Sequence, residues 1–128
     1  MILCRFYDVQ VNTAMVTFAT GWLEIDDIKF KVISGGGGKG VLPVGLYKLD
    51  SIRILSETTP NYSAYLGVSK AWFVGITPLF KTDRTELGIH PDGNVLGTAG
   101  CIGIYKLEQD DLCFAILSKK SGDTVKVV

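Results

Sequence analysis

The sequence predicts a mainly β domain with one late helix, on three observations. Apolar and polar residues alternate with period two along much of the first half, as in "IKFKVIS", where Ile28, Phe30 and Val32 are separated by Lys29 and Lys31. The same stretches are rich in β-branched and aromatic residues and are bounded by turn formers. Helical spacing of apolar residues is confined to one segment near the C-terminus.

Taken in order, residues 2–9 (ILCRFYDV) and 14–20 (AMVTFAT) are strands separated by the turn-prone "QVNT". "WLEI", a turn at Asp26-Asp27 and "IKFKVIS" follow. "LPVGLYKLDSIRIL" continues the alternation, and "KAWFVGI" is apolar enough to be a more deeply buried strand. Residues 56–70, "SETTPNYSAYLGVSK", hold turn formers and tyrosines without a clear period and are expected to form an irregular connection. "LEQDDLCFAILSKKSGD" is the helix: Leu112, Ala115 and Ile116 share one face, as do Cys113 and Leu117. Acidic residues precede Lys119-Lys120 as the helix dipole favours, and Gly122 is a natural stop. "TVKVV" is a closing strand.

The bulk properties bound the function. A chain of 128 residues without repeat or linker is one domain, 1–128, and large enough to bury a core. Thirteen basic residues balance thirteen acidic ones, and no basic stripe suited to a phosphate backbone is visible, which argues against nucleic acid. A mean hydropathy of +0.28 argues against disorder. No apolar run approaches the roughly 20 residues that span a bilayer, so no membrane insertion is expected. The opening "MILCRFYDVQV" lacks the basic and long apolar regions of a secretory signal and reads as a first strand. Three cysteines, Cys4, Cys101 and Cys113, are an odd number in a domain that needs no staples, so at least one thiol is expected to be free. With no CxxC and one histidine, no zinc set can be assembled, and neither metal nor cofactor is expected.

Two motifs bear on chemistry. "SGGGGKG" fails as a phosphate loop: Ile33 stands where its first glycine belongs, Lys39 is followed by Gly40, and a strand rather than a helix comes next. It reads as a turn between strands that can border a groove. "GIHPDGNVLGTAGCIGI" places His90, the single histidine, eleven residues before Cys101. Gly100 and Gly103 let backbone approach a substrate and leave amides free for an oxyanion, and two adjacent strand ends would set imidazole beside thiol. The plainer alternative is a buried cysteine and an ordinary histidine in a Gly-rich turn.

That stretch resembles the signature of the L,D-transpeptidase catalytic domain (the YkuD-like family): a histidine, a variable spacer, then Ser/Thr-x-Gly-Cys and an apolar residue. The resemblance extends over residues 28 to 128. "FKVISGGGGKGVLPVGLYKL" is similar to the family's strand, Gly-containing loop and "TPxGxF"-type segment, with Pro43, Gly45 and Tyr47 in the matching places. "LEQDDLCFAILSKKSGDTVKVV" is similar to its closing helix, turn and last strand. Residues 1 to 27 add one or two strands. The commonest family form, Ser-His-Gly-Cys-x-Arg, is here Thr98-Ala99-Gly100-Cys101-Ile102-Gly103, without the second histidine and the arginine. Arg84 is the nearest replacement for the latter, and this pattern looks closer to the antibacterial-effector and phage-associated branches.

The resemblance implies a β-sandwich-like fold with the site on a loop at its edge, acting on the peptide stem of peptidoglycan. His90 would be the base, Cys101 the nucleophile that forms a thioester, and the amides near Gly100 and Cys101 the oxyanion hole. Attack by an amine would give transpeptidation or D-amino-acid exchange, and attack by water L,D-carboxypeptidase action. Asp92 would orient the imidazole, or simply form its Pro-Asp-Gly turn. Arg84, Thr98 and Gly103 are the expected substrate-binding positions. Trp72, Phe73 and Tyr47 either line a groove or, the preferred reading, fill the core; Cys4 and Cys113 are structural thiols. The implied place of action is the periplasm or cell wall, reached by a secretion or phage system or with a leader absent from this chain. An immunity or delivery protein would then be a partner. The rival from another class is a non-catalytic wall-binding or virion-structural domain that keeps the fold.

Overall fold

The computed structural model describes residues 2–11, 17–35, 40–92, 100–105 and 107–128. These form strands β1 (Ile2–Val11), β2 (Thr17–Ile25), β3 (Ile28–Gly35), β4 (Gly45–Leu55), β5 (Ala71–Pro78), β6 (Gly88–Pro91), β7 (Ile102–Ile104) and β8 (Thr124–Val127), with helix α1 (Asp110–Leu117) before β8. The protein is mainly β, with one α-helix among the described residues. The expected irregular connection, 56–70, holds a short 3-10 turn at Tyr62–Tyr65. Residues 14–16 of the expected second strand lie outside the described residues; its remainder is continuous with "WLEI" as β2.

The sheet closes into a barrel in the order β1-β2-β3-β7-β6-β5-β4-β8, which replaces the expected sandwich. Closure rests on β8. It pairs in parallel with β1 (Ile2↔Val125, Cys4↔Val127) and antiparallel with β4 (Tyr47↔Val125, Gly45↔Val127), so one four-residue strand covers two edges that a sandwich would leave open. Local chemistry sets the hairpin between β2 and β3. Asp26 and Asp27 both have positive φ, 47° and 72°, the pair of left-handed residues whose twist suits a two-residue loop, and aspartate tolerates that region better than most side chains.

Side-chain alternation turns Leu23, Ile25, Val32, Leu49, Val74 and Ile89 inward to the core. Tyr47 and Trp72 are fully buried there, so the groove alternative for these two gives way to the core reading. Of the two apolar faces the sequence offers, the helix buries the one with Cys113 and Leu117. Cys113, Phe114 and Leu117 pack onto the core while Leu112 is 53 % exposed and Ala115 is exposed. A helix apolar on most sides does not declare its buried face, and here Asp110 decides it. Its carboxylate, fully buried, accepts from the Trp72 indole N–H and from the Val68 amide, both at 3.1 Å. Trp72 and Phe114 then stack with ring centroids 5.1 Å apart.

Asp110→Ala strands the buried Trp72 N–H and the part-buried Val68 amide, so it should cost about 3 kcal/mol. Asp110→Asn keeps one acceptor oxygen and should lose roughly half of that. Urea unfolding of the two variants checks the order.

Candidate active site

The site lies on the outer face of the barrel wall. Strands β6 and β7 are parallel, with Ile89↔Ile102, His90↔Gly103 and Pro91↔Ile104 in register. Ile89, Ile102 and Ile104 point into the core, so His90, Gly103 and Cys101, one residue away from each, face outward. His90, opposite Gly103, and Cys101, two residues before Gly103, therefore lie diagonally across the β6–β7 pair. The two segments that carry them are adjacent strands, as the sequence expectation required of the backbone.

His90 is 5 % exposed and held on three sides. Its ring lies nearly parallel to Phe73 (centroids 5.9 Å, 12°) and meets the edge of Tyr65 (4.8 Å, 85°). Nδ1 lies 2.7 Å from the Pro91 carbonyl oxygen. A carbonyl only accepts, so Nδ1 carries the proton and the neutral ring presents its lone pair on Nε2. The acceptor on Nδ1 is thus a backbone carbonyl, the role in which Asp92 was expected. Asp92 itself is buried, with its amide donating to the Ile104 carbonyl at 3.0 Å. Burial lowers the imidazole pKa from 6.5 to about 4, the contact with Pro91 opposing it, and the ring is neutral at pH 7.

Cys101 is 8 % exposed. Its thiol is 3.6 Å from the Glu86 carbonyl oxygen, brought there by Glu86 in the left-handed region at φ 55°, an unusual conformation for a glutamate. Burial pushes the thiol up to about 11 against the Gly88 amide and the Arg84 charge, both of which lower it, while Glu86 raises it further. The resting pair is accordingly thiol and neutral imidazole. Gly88 has a second role: a Cβ there would run into the Phe73 ring, so the bare backbone lets Phe73 reach His90.

Arg84 lies against the Gly100 backbone, one residue before Cys101. Gly100 has φ +102°, and a Cβ on it would collide with the Arg84 guanidinium, which lies against that backbone. Nη1 reaches the Val41 carbonyl at 3.5 Å, and Nη2 is buried with no hydrogen-bond acceptor among the described residues. Gly103 is buried in the ladder between His90 and Ile33. Thr98 lies outside the described residues, as does most of the glycine run. Sequence reasoning missed Tyr65, Glu86 and Gly88. Gly88 was detectable, two residues before His90 and so on the same strand face. Tyr65 sits in a segment without period, where nothing marks one tyrosine above another.

The other cysteines are inert by comparison. Cys4 and Cys113 are fully buried free thiols; burial raises Cys4 to about 12 and Cys113 further. No group of three or more potential metal ligands forms among the described residues.

His90 should make stability depend on pH. Its folded pKa lies below the unfolded value, so as pH falls from about 6.5 to 4 the unfolded chain takes up a proton that the native one refuses. Stability present above pH 6.5 should then decline by about 3 kcal/mol on reaching pH 4. In His90→Leu the slope of unfolding free energy against pH should be shallower by up to one proton across that window, as read by urea titrations.

Comparison with protein-family models, with curated proteins and with solved structures gives no match to this chain.

Proposed function

We propose that the protein is a cysteine-dependent acyltransferase or peptidase acting on peptidoglycan stem peptides, an L,D-transpeptidase-like enzyme using Cys101 and His90. The observation that carries this is the diagonal placement of His90, on β6, and Cys101, just before β7, with the imidazole fixed by the Pro91 carbonyl so that the unprotonated nitrogen is Nε2. The motif resemblance supplies the substrate class, and the charge of Arg84 beside Gly100 fits a substrate carrying carboxylates.

The chemistry follows from two neutral partners. Nε2 takes the thiol proton as Sγ attacks the carbonyl carbon of the third stem residue, and backbone amides near Gly100 and Cys101 receive the oxyanion. Collapse returns the His90 proton to the departing amine of the terminal D-alanine and leaves a thioester on Cys101. An amine acceptor then gives transpeptidation or D-amino-acid exchange; water gives carboxypeptidase action. Deprotonation coupled to attack suits a thiol held near pKa 11, because no thiolate is stored in the resting state. A role as an antibacterial effector delivered to the wall accords with the absent second histidine. The depth of Cys101 favours one other reading, a wall-binding domain that keeps the fold without turnover.

Mass spectrometry of a tetrapeptide stem incubated with the protein decides between them. Loss of D-alanine, with a thioester adduct on Cys101, is expected from the unsubstituted protein. Cys101→Ala should abolish it while Cys4→Ala and Cys113→Ala retain it; turnover surviving in Cys101→Ala, or no turnover at all, removes the enzyme reading.

Arg84→Ala should lower kcat/KM by roughly ten- to a hundredfold, the size of one lost charge-assisted hydrogen bond. Because the Arg84 charge also holds the Cys101 thiol down, iodoacetamide alkylation of Cys101 should slow as well. Arg84→Lys should recover the alkylation rate better than the catalytic efficiency.

A further inference from the structure

One row of side chains crosses the outer face of four strands. Register pairs Arg5 with Trp22 and Trp22 with Lys31, and the Tyr105 amide donates to the Lys31 carbonyl at 2.8 Å, continuing the pairing past β7. Cation and aromatic alternate along it, and the Lys31 ammonium lies 5.4 Å from the Tyr105 ring centroid. At roughly 4.8 Å between strands the row is about 14 Å long. Both aromatics are 40 % exposed, whereas Phe73, on the same outer surface beside the catalytic pair, is covered by Tyr65 and only 7 % exposed. Two half-open rings set between cations suit a ligand that offers apolar C–H faces together with negative charge.

The position of the row identifies that ligand. Cys101 and Tyr105 flank the three residues of β7 on either side, so the near end of the row lies about 13 Å from the nucleophile. We propose that Arg5, Trp22, Lys31 and Tyr105 form a subsite for the amino-sugar end of the substrate, which rests on the reading that the protein acts on peptidoglycan stems. From the reacting third residue, two stem residues and a lactyl arm lead to the sugar, an extended span of about 10–14 Å. The amino sugar that carries the stem stacks its C–H face on Tyr105, the near end of the row, where Lys31 reaches back toward the free carboxylate of the stem's second residue, and the neighbouring sugar of the disaccharide lies on Trp22 beside Arg5. The protein then prefers stems still attached to glycan over free peptides.

Trp22 is the exposed tryptophan and Trp72 is fully buried, so intrinsic fluorescence reports on the row. The test titrates Cys101→Ala protein with a disaccharide-tetrapeptide and, separately, with the free tetrapeptide. The disaccharide form should bind about tenfold tighter, the size of one good aromatic contact. Tyr105→Ala in that background should remove most of the difference; Trp22→Phe should keep much of it and Trp22→Ala should erase it, both followed by calorimetry. Equal affinities for the two ligands, or a preference that survives Trp22→Ala and Tyr105→Ala together, overturns the subsite. So does binding to phosphatidylglycerol vesicles, lost in the same variants, in place of the sugar preference. Because the readout is binding to a protein without its nucleophile, the row is tested whether or not the chain turns substrate over, and the two readings fail separately.

Discussion

The parallel pairing of β6 with β7 is the constraint on which the candidate site depends. Antiparallel neighbours can be joined by a tight turn, which fixes their register over two or three residues; parallel neighbours cannot. Here the ladder itself sets the register, and three pairs, Ile89↔Ile102 to Pro91↔Ile104, suffice because alternate residues are isoleucines packed into the core. Shifting one strand by a residue would bury Cys101 or His90 among them and expose the isoleucines. Core packing on one side of the wall thus determines which groups meet on the other.

Burial dominates the electrostatics of that meeting. Both members of the pair are nearly inaccessible, and desolvation drives the imidazole down and the thiol up, away from the ion pair that a solvated Cys–His couple can form. The Gly88 amide and Arg84 charge oppose this for the thiol without overcoming it. A buried, protonated thiol of this kind has little background reactivity. The aromatic and backbone contacts on His90 hold its ring in one orientation, with Nδ1 on the Pro91 carbonyl.

Much of this was legible in the residues. Alternation and apolar runs located β1 to β5, and the adjacent aspartates located the hairpin between β2 and β3, while the spacing of His90, Gly100 and Cys101 drew attention to the place where β6 and β7 pair. Closure was not legible, because the pairing of β8 with β1 joins residues more than a hundred positions apart and "TVKVV" reads the same as an edge or as a keystone. The sequence offered two apolar helix faces and no way to choose, because Leu112 and Leu117 are equal by composition; the buried carboxylate of Asp110 and its tryptophan partner choose between them. Tyr65 and Glu86 escaped for a related reason, since each owes its place to a three-dimensional contact or a single backbone angle rather than to a pattern.

Closure by β8 also has a kinetic side. Until Thr124–Val127 is in place, β1 and β4 each present an unpaired edge, and both edges face the same four-residue gap. During synthesis β1 leaves the ribosome more than a hundred residues before its parallel partner β8, so its edge stays open while β2 to β7 are made. Folding that ends on such distant contacts is slow, because the longest loop must be closed before the last ladder repays it. The interval invites strand donation from another chain. The barrel's integrity is therefore decided late, by four residues, and a copy lacking that strand would be a template for assembly with its own kind.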